Sequence, residues 1–180
     1  ISVIDISNPT APKQIATTSV GASPRSIYVS GRYAYTANFT SDTISVVDIS
    51  NPATPIQIAT TSVGDGPISI YVSGRYAYVA NFTSNNISVV DISNPSAPVQ
   101  ISTTTVGTGP NSIYVSGRYA YVTNGGGNTG MSVVDISNPL LPVQISNLSI
   151  GGQPSSIYVS GRYAYVLNVA SNTMSVIDIS

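Results

Sequence analysis

The chain has 180 residues, of which 42% are hydrophobic and only 7% are charged, compared with about 25% charged residues in an ordinary soluble domain. Its net charge of −1 gives no electrostatic basis for binding nucleic acid, and no apolar run approaches the ~20 residues of a membrane-spanning helix. Intrinsic disorder is disfavoured, because twelve Tyr and many aliphatic side chains supply ample surface to bury.

The sequence is built from an internal repeat. A seven-residue segment, ISVVDIS or a close variant, begins at Ile1, Ile44, Ile87, Met131 and Met174, with spacings of 43, 43, 44 and 43 residues. Repeats therefore cover 1–43, 44–86, 87–130 and 131–173, and residues 174–180 form a partial fifth repeat. We treat 1–180 as a single repeat domain or a segment of one, because a period of about 20 to 50 residues is typical of solenoids, propellers and arrays.

Each repeat is predicted to form four short strands. In the second repeat, runs rich in Val, Ile, Thr and Tyr are separated by Gly, Pro, Asn and Ser, and no segment has a helical period of 3.6 residues. The strands are apolar on both faces, which is typical of sheets that are covered on both sides, as in the blades of a propeller. A solenoid fits less well, because its coils need only about 20 to 30 residues. The predicted strands are 44–50, 56–63, 68–73 and 75–81.

The repeats resemble two families of propeller repeats. SVVDISNP closely matches the signature of LVIVD-repeat propellers, and GRYAYVTN at 117–124 contains the YVTN string of the YVTN-type repeat. The resemblance covers the whole chain, and it implies an all-β propeller with four-stranded antiparallel blades. It also implies an extracellular or cell-surface protein with an interaction role. The corresponding strings YTAN, YVAN and YVLN begin at Tyr35, Tyr78 and Tyr165.

The same resemblance implies the order of strands in a blade: SIYVS is innermost, then RYAYV, then SVVDIS, with QIATTSV at the outer edge. The chain would then form four blades, permuted so that it starts and ends at a third strand, and residues 1–7 and 174–180 would compete for one position. Three arrangements stay open: a closed four-bladed ring with a spare strand, a segment of a longer array, and a larger ring or filament made with other copies by strand exchange. We favour the last two.

Nine of the thirteen charged residues recur at two repeat positions. A catalytic group is needed once, in one asymmetric pocket, so we interpret these residues as structural, with Asp accepting turn hydrogen bonds or pairing with Arg. Because the chain also lacks His, Cys and Glu, we predict that it is not an enzyme and uses no cofactor. The recurring residues are Asp5, Asp48, Asp91, Asp135, Asp178, Arg32, Arg75, Arg118 and Arg162.

Two other residue sets have a structural and a functional interpretation. The twelve Tyr occupy three positions per repeat, starting with Tyr28, Tyr33 and Tyr35, and we interpret them as packing between blades rather than as a stacking platform for sugars or bases. The loops 39–43 and 125–130 offer oxygen ligands, but Asp42 is their single carboxylate, whereas calcium sites recruit several. We therefore predict no metal site. Sequons for glycosylation begin at Asn38, Asn81, Asn86 and Asn147.

Variation between the repeats is concentrated in the pair inside NPxxP and in two groups of loops, one that follows the second strand and one that precedes the innermost strand. In a propeller the two groups of loops share one face, so they are a candidate surface for a ligand or partner, although exposed loops also drift in sequence without any function. We predict contacts at Arg25, Phe39, Asp65, Phe82 and Asn111.

These observations predict a non-catalytic structural or interaction module, outside the cell or on its surface, that associates with copies of itself or with other surface proteins. The alternative is a domain that binds carbohydrate or peptide on the variable loops. No nucleic-acid partner and no membrane insertion are expected.

Overall fold

The computed structural model describes residues 1–127 and 130–180, and all regular secondary structure in those residues is β-strand. Gly31, with a φ of +58°, supplies the left-handed conformation required by the tight turn between residues 30 and 33, and its counterparts Gly74, Gly117 and Gly161 do the same. The strands are β1 (Ser2–Asp5), β2 (Lys13–Thr17), β3 (Pro24–Ser30), β4 (Tyr33–Asn38), β5 (Thr43–Asp48), β6 (Ile56–Ser62), β7 (Pro67–Ser73), β8 (Tyr76–Asn81), β9 (Asn86–Asp91), β10 (Val99–Thr105), β11 (Pro110–Ser116), β12 (Tyr119–Asn124), β13 (Gly130–Asp135), β14 (Val143–Leu148), β15 (Pro154–Ser160), β16 (Tyr163–Asn168) and β17 (Thr173–Asp178).

The strands form five antiparallel sheets in chain order. Three are complete, with four strands each: β3 to β6, β7 to β10 and β11 to β14. The other two are a three-stranded sheet, β15 to β17, and a two-stranded ribbon, β1 and β2. The innermost strands β3, β7, β11 and β15 contact one another in succession. The all-β architecture of repeated four-stranded antiparallel units is thus confirmed.

The structure does not confirm the predicted count of four equivalent blades or the predicted permutation of the chain. The strands at the start of the chain do not complete the last sheet, because β1 and β2 are joined by a short turn and pair with each other instead. Across the described part of the chain, the five sheets form an open series and the ring is not closed. Residues 1–7 and 174–180 therefore do not compete for one position within this chain.

Each internal sheet buries both of its faces against its neighbours. At the first junction, Tyr35, Ile44 and Val46 of one sheet pack against Ile70 and Val72 of the next. Clusters of the same kind lie at the next two junctions. This packing is the reason that the strands are apolar on both faces.

A buried asparagine joins strands within a sheet. Asn38, at the end of β4, is fully buried, and its Nδ2 donates to Ser45 Oγ at 2.9 Å and Thr43 Oγ1 at 3.2 Å. Ser45 Oγ also accepts a bond from Gly21 N–H. A Cβ on Gly21 would lie only 2.7 Å from Asn38 Nδ2, so the site accepts only glycine. Three recurring residues, Gly, Asn and Ser, thus form one hydrogen-bonded unit.

We predict that Asn38→Ala lowers the free energy of unfolding by about 1–3 kcal/mol, because it removes the bonds to Ser45 and Thr43 and takes away the acceptor of the buried Thr36 hydroxyl. The matched control is Asn51→Ala, which removes only an exposed turn hydrogen bond from Ala53 N–H. Urea denaturation of both variants measures the difference. Equal losses of stability would contradict the buried role of Asn38.

Candidate functional site

The two groups of variable loops lie side by side at one edge of every sheet. In the first complete sheet, Phe39 N–H donates to Ser23 C=O at 3.0 Å, and in the second, Phe82 N–H donates to Gly66 C=O at 2.8 Å. Equivalent backbone bonds join residues 125–126 to 108–109 and residues 169–170 to 152–153. The sequence-predicted contact residues therefore share one edge, which we call the loop face. Residues 128 and 129, within the predicted loop 125–130, lie outside the described residues.

Aromatic side chains on the loop face lie at the junctions between sheets. The guanidinium of Arg25 is 5.4 Å from the centre of the Phe39 ring, a cation–π contact. A Cβ on Gly66 would lie 3.2 Å from Phe39 Cε2, so this ring packs against the loop of the next sheet. Phe82 lies against Gly109 in the same way, and 38% of its surface stays exposed.

Asn111 and Asp65 occupy different environments on this face. Asn111 Oδ1 accepts a bond from Thr123 Oγ1 at 2.7 Å, and its Nδ2 donates to Pro154 C=O of the next sheet at 2.8 Å. The Asn111 amide thus connects two sheets. Its Oδ1 and Nδ2 are engaged in these hydrogen bonds and are not available to a ligand. Asp65 is exposed, and its carbonyl oxygen accepts bonds from Thr83 and Ser84 N–H. The structure therefore leaves Arg25, Asp65 and Phe82 as the accessible members of the set.

The recurring Asp and Arg residues form pairs within a sheet. Asp48 Oδ2 is 2.6 Å from Arg32 Nη2, and Asp48 Oδ1 accepts a bond from Ser50 N–H at 2.9 Å. The Arg32 guanidinium also lies over the Tyr33 ring. The same pairs form at Arg75–Asp91, Arg118–Asp135 and Arg162–Asp178, whereas Asp5 accepts a bond from Ser7 N–H. These groups hold the turn after the third strand.

The hydrogen bond from Arg32 lowers the pKa of Asp48 to about 2, and that from Arg75 does the same for Asp91. The ordinary value is 3.8, so between pH 4 and pH 2 the folded carboxylates stay ionised while the unfolded chain takes up protons. Stability contributed by these pairs is present above about pH 4 and is lost as the pH falls towards 2.

We predict that the free energy of unfolding decreases less between pH 4 and pH 2 in Asp48→Asn than in the wild type. The reason is that the unfolded variant has no carboxylate at position 48 to take up a proton. Urea denaturation at a series of pH values is the measurement, and Asp65→Asn, outside the Arg–Asp pairs, is the control. An unchanged slope in Asp48→Asn would show that the pair does not contribute to acid sensitivity.

Tyrosines of the innermost strands stack in a continuous row. The ring centres of Tyr28 and Tyr71 are 4.9 Å apart, those of Tyr71 and Tyr114 are also 4.9 Å apart, and those of Tyr114 and Tyr158 are 5.1 Å apart. Burial raises the pKa of Tyr71, so its hydroxyl stays protonated at neutral pH. The row ends at Tyr158, which is 61% exposed.

The sequon asparagines differ in their accessibility. Asn38 and Asn81 are buried and use Nδ2 for internal hydrogen bonds, so a glycan there would displace those bonds. Asn86 is half-buried and Asn147 is exposed, and both remain predicted acceptors. The described residues contain no group of three or more acidic, His or Cys side chains that could hold a metal ion. They also contain no helix long and apolar enough to cross a membrane.

The two ends of the sheet series expose apolar surfaces that sequence reasoning did not identify. We call the exposed side of the β3–β6 sheet the leading face; its Ile27 and Val29 are 52% and 54% exposed, whereas their counterparts Ile70 and Val72 are buried. We call the exposed side of the β15–β17 sheet the trailing face. It carries Tyr158, Leu167, Met174 and Val176. Terminal repeats of repeat proteins usually have polar residues on their outer face. The first and last repeats of this chain lack such residues, and this absence is what the sequence offers to identify the two apolar surfaces.

The leading face is only partly covered by the β1–β2 ribbon. Cavities of about 290 and 240 Å³ remain between residues 1–4 and the sheet, and both are lined by Ile27. Because the ribbon lacks the two inner strands of a complete sheet, it cannot fill this space.

A family model described as LVIVD repeat matches the chain at residues 1–18, 21–61, 68–106, 110–149 and 151–180. The match confirms the LVIVD resemblance along the whole chain. The comparison with curated proteins gives no match.

Solved structures with this architecture include several enzymes. The chain is 20% identical to the periplasmic gluconolactonase of Pseudomonas aeruginosa, with a TM-score of 0.86 over 98% of this chain and 58% of that chain. It is 18% identical to a putative 6-phosphogluconolactonase of Bacteroides uniformis, with a TM-score of 0.88 over 98% of this chain and 60% of that chain. For the hydrazine synthase of Kuenenia stuttgartiensis the identity is 23% and the TM-score 0.75, over 90% and 48% of the two chains. The chain thus spans about half to three fifths of these proteins.

The sequence-based prediction that the chain is not an enzyme is wrong in the light of these structures. Structures of the same fold include a gluconolactonase and putative 6-phosphogluconolactonases. The lack of His, Cys and Glu is therefore insufficient to exclude an enzyme, because Asp carboxylates are also able to act as general acids and bases. At identities of 15% to 23%, this similarity establishes the fold alone.

Proposed function

This chain belongs to the LVIVD repeat family, and we propose that it is a structural and interaction module that associates with further copies of itself, head to tail. The observation that carries the proposal is the complementarity of the trailing and leading faces. Their residues are counterparts of those that pack against each other at every internal junction. One copy therefore offers the surface that the other end of a second copy requires.

Individual contacts of an internal junction support this complementarity. Ser26 Oγ accepts a bond from Ile70 N–H at 3.3 Å, and Ser69 Oγ accepts one from Ile113 N–H at 3.2 Å. Ser156 is the counterpart of these serines on the trailing face and is exposed. Together with Tyr158, it would meet Ile27 and Tyr28 of a second copy, and the tyrosine row would continue across the contact.

The strength of the association depends on several side chains together. Fully burying one Val, Leu, Ile or Met side chain is worth about 1.5–3 kcal/mol. Association costs about 4–15 kcal/mol in lost freedom, so several of these contacts are needed to offset it. A charge placed on either face should therefore shift the equilibrium strongly. Because the two faces differ, the contact repeats and leads to a ring or a filament.

We predict that the wild-type chain forms species larger than 18.6 kDa and that Val176→Lys returns it to the mass of a single chain. Val99→Lys is the matched control, because Val99 is 56% exposed and Val176 is 55% exposed, but Val99 lies outside both end faces. Lysine suits that position, since Lys13 is its counterpart opposite Asp5. Sedimentation velocity over a range of concentrations measures the masses. A wild-type chain that stays at 18.6 kDa, or equal behaviour of both variants, would contradict the proposal.

The site of action that we propose is outside the cytoplasm or on the cell surface. The support is membership of the repeat family and the structural similarity to the periplasmic gluconolactonase of Pseudomonas aeruginosa. Fractionation of the source organism, followed by antibody detection, tests this location.

A second candidate function is recognition of a sugar or a peptide on the loop face, extended to hydrolysis of a sugar lactone. The exposed ring of Phe82 and the nearby carboxylate of Asp65 are the observations that favour it, together with the two lactonase-like structures. Aromatic rings stack on sugar rings, and a carboxylate is able to activate water.

We predict that, if this candidate is correct, the chain hydrolyses glucono-δ-lactone and that Asp65→Asn lowers the rate about 100-fold, the usual scale for loss of a general base. A pH-stat assay corrected for spontaneous hydrolysis measures the rate. Asp5→Asn, at an exposed position outside the loop face, is the control. A hydrolysis rate equal to the background would exclude the lactonase activity. No binding of the chain to glycan or peptide arrays would exclude recognition of a sugar or a peptide.

A further inference from the structure

The last sheet has an open groove beside its third strand, β17. The groove has a volume of about 490 Å³, and it lies between β14 of the preceding sheet and the segment 177–180. Ile145 and Leu148 line one side, and Ile177 and Ile179 line the other. In each complete sheet a fourth strand pairs with the third strand, so the groove lies where a fourth strand would lie.

The exposure of β14 shows what the groove lacks. Ile145 is 54% exposed, whereas its counterparts Ile58 and Ile101 are half-buried at junctions between complete sheets. β6 and β10 contact each other, as do β10 and β14. An additional fourth strand in the groove would therefore cover Ile145 and complete the series of contacts between outer strands.

A strand with the required sequence is present at the start of the chain. Residues 14–20 are identical to 57–63, which include most of the fourth strand β6. In the structure β2 is paired with β1 through four residue pairs, from Ser2–Thr17 to Asp5–Lys13. The complete β5–β6 pair has six. Residues 2–7 and 175–180 have the identical sequence SVIDIS, so β17 is able to replace β1 with no loss of side-chain compatibility.

We propose that β2 of a second copy inserts into the groove and pairs with β17, in place of its own β1. This inference rests on the proposed head-to-tail association and specifies the segment that carries it. By analogy with the complete sheets, the register aligns Ser175 with Thr17, Val176 with Ala16, Ile177 with Gln14 and Asp178 with Lys13 of the second copy.

The exchange is favoured by the additional contacts that it makes. In the complete sheet the third strand also forms the pairs Thr43–Ser62 and Ile44–Thr61, so β17 is able to add Thr173–Ser19 to the pairs that β1 makes, which end at Ile1–Thr18. Insertion also covers the apolar side chains of the groove and pairs the free edge of β17, which is otherwise a template for uncontrolled association. Within one chain β2 lies in the ribbon whose β1 lies against the leading face, at the other end of the open series from β17, so a second copy supplies the strand.

The central experiment locks β2 to its own β1. The double variant Ser2→Cys/Thr17→Cys joins two residues that face each other in the β1–β2 ribbon, and the wild-type chain has no Cys to interfere. We expect the oxidised variant to lose the concentration-dependent increase in mass and the reduced variant to regain it. An oxidised variant that associates as the wild type does would overturn the strand exchange and leave the head-to-tail association intact. A wild-type chain that remains a single copy would overturn both.

A second measurement does not depend on formation of the lock. Chains with Thr17→Cys are mixed with chains with Ser175→Cys and oxidised, and the product is separated without reductant. We expect a disulfide-linked dimer in the mixture, in excess over a control mixture of Thr17→Cys with Ser93→Cys, which is an exposed turn residue outside the groove. Equal yields in the two mixtures would contradict the register. If the double variant Thr17→Cys/Ser175→Cys links within a single chain at high dilution, the occupant is its own β2 and the proposal is wrong.

Discussion

The packing of each sheet against the next is the interaction on which the rest of the structure depends. Tyr35, Ile44 and Val46 on one sheet meet Ile70 and Val72 on the following sheet, and the same cluster recurs along the chain. A sheet that is apolar on both faces is stable only between two neighbours. The polar units within each sheet, such as Asn38 with Ser45 and Arg32 with Asp48, hold the strands so that these faces are presented correctly.

This constraint gives the two ends of the series their properties. A side chain that is fully buried at an internal junction becomes exposed at an end: Ile44 and Ile87 are 0% exposed, whereas their counterpart Met174 is 57% exposed. The leading and trailing faces are therefore the two halves of one junction. The proposed association and strand exchange restore the internal junction between two chains, and no new kind of contact is required.

The sequence predicts the repeated sheet well, because Gly, Pro and Asn mark the turns and the second and third strands of each repeat are apolar on both sides. It does not predict how the ends are arranged: β1 and β17 both contain SVID, and only the structure shows that β2 pairs with β1, to which residues 6–12 connect it. Nor does it reveal that Asn38 is buried, because the NFTS string is equally typical of an exposed loop. The topology predicts that the two groups of variable loops lie side by side on the loop face. The hydrogen bond between Asn111 and Pro154 is not predictable in this way, because it depends on how adjacent sheets are placed.

Hydrogen–deuterium exchange at increasing protein concentration tests the central claim most directly, because it reports on the backbone at both ends of the series. The account predicts that the amides of Thr173–Asp178 and of residues 25–30 become more protected as the concentration rises, while those of Tyr76–Asn81, which are already at internal junctions, do not change. If amide exchange at both ends does not depend on protein concentration, the leading and trailing faces do not pack against each other between chains, and the account is contradicted.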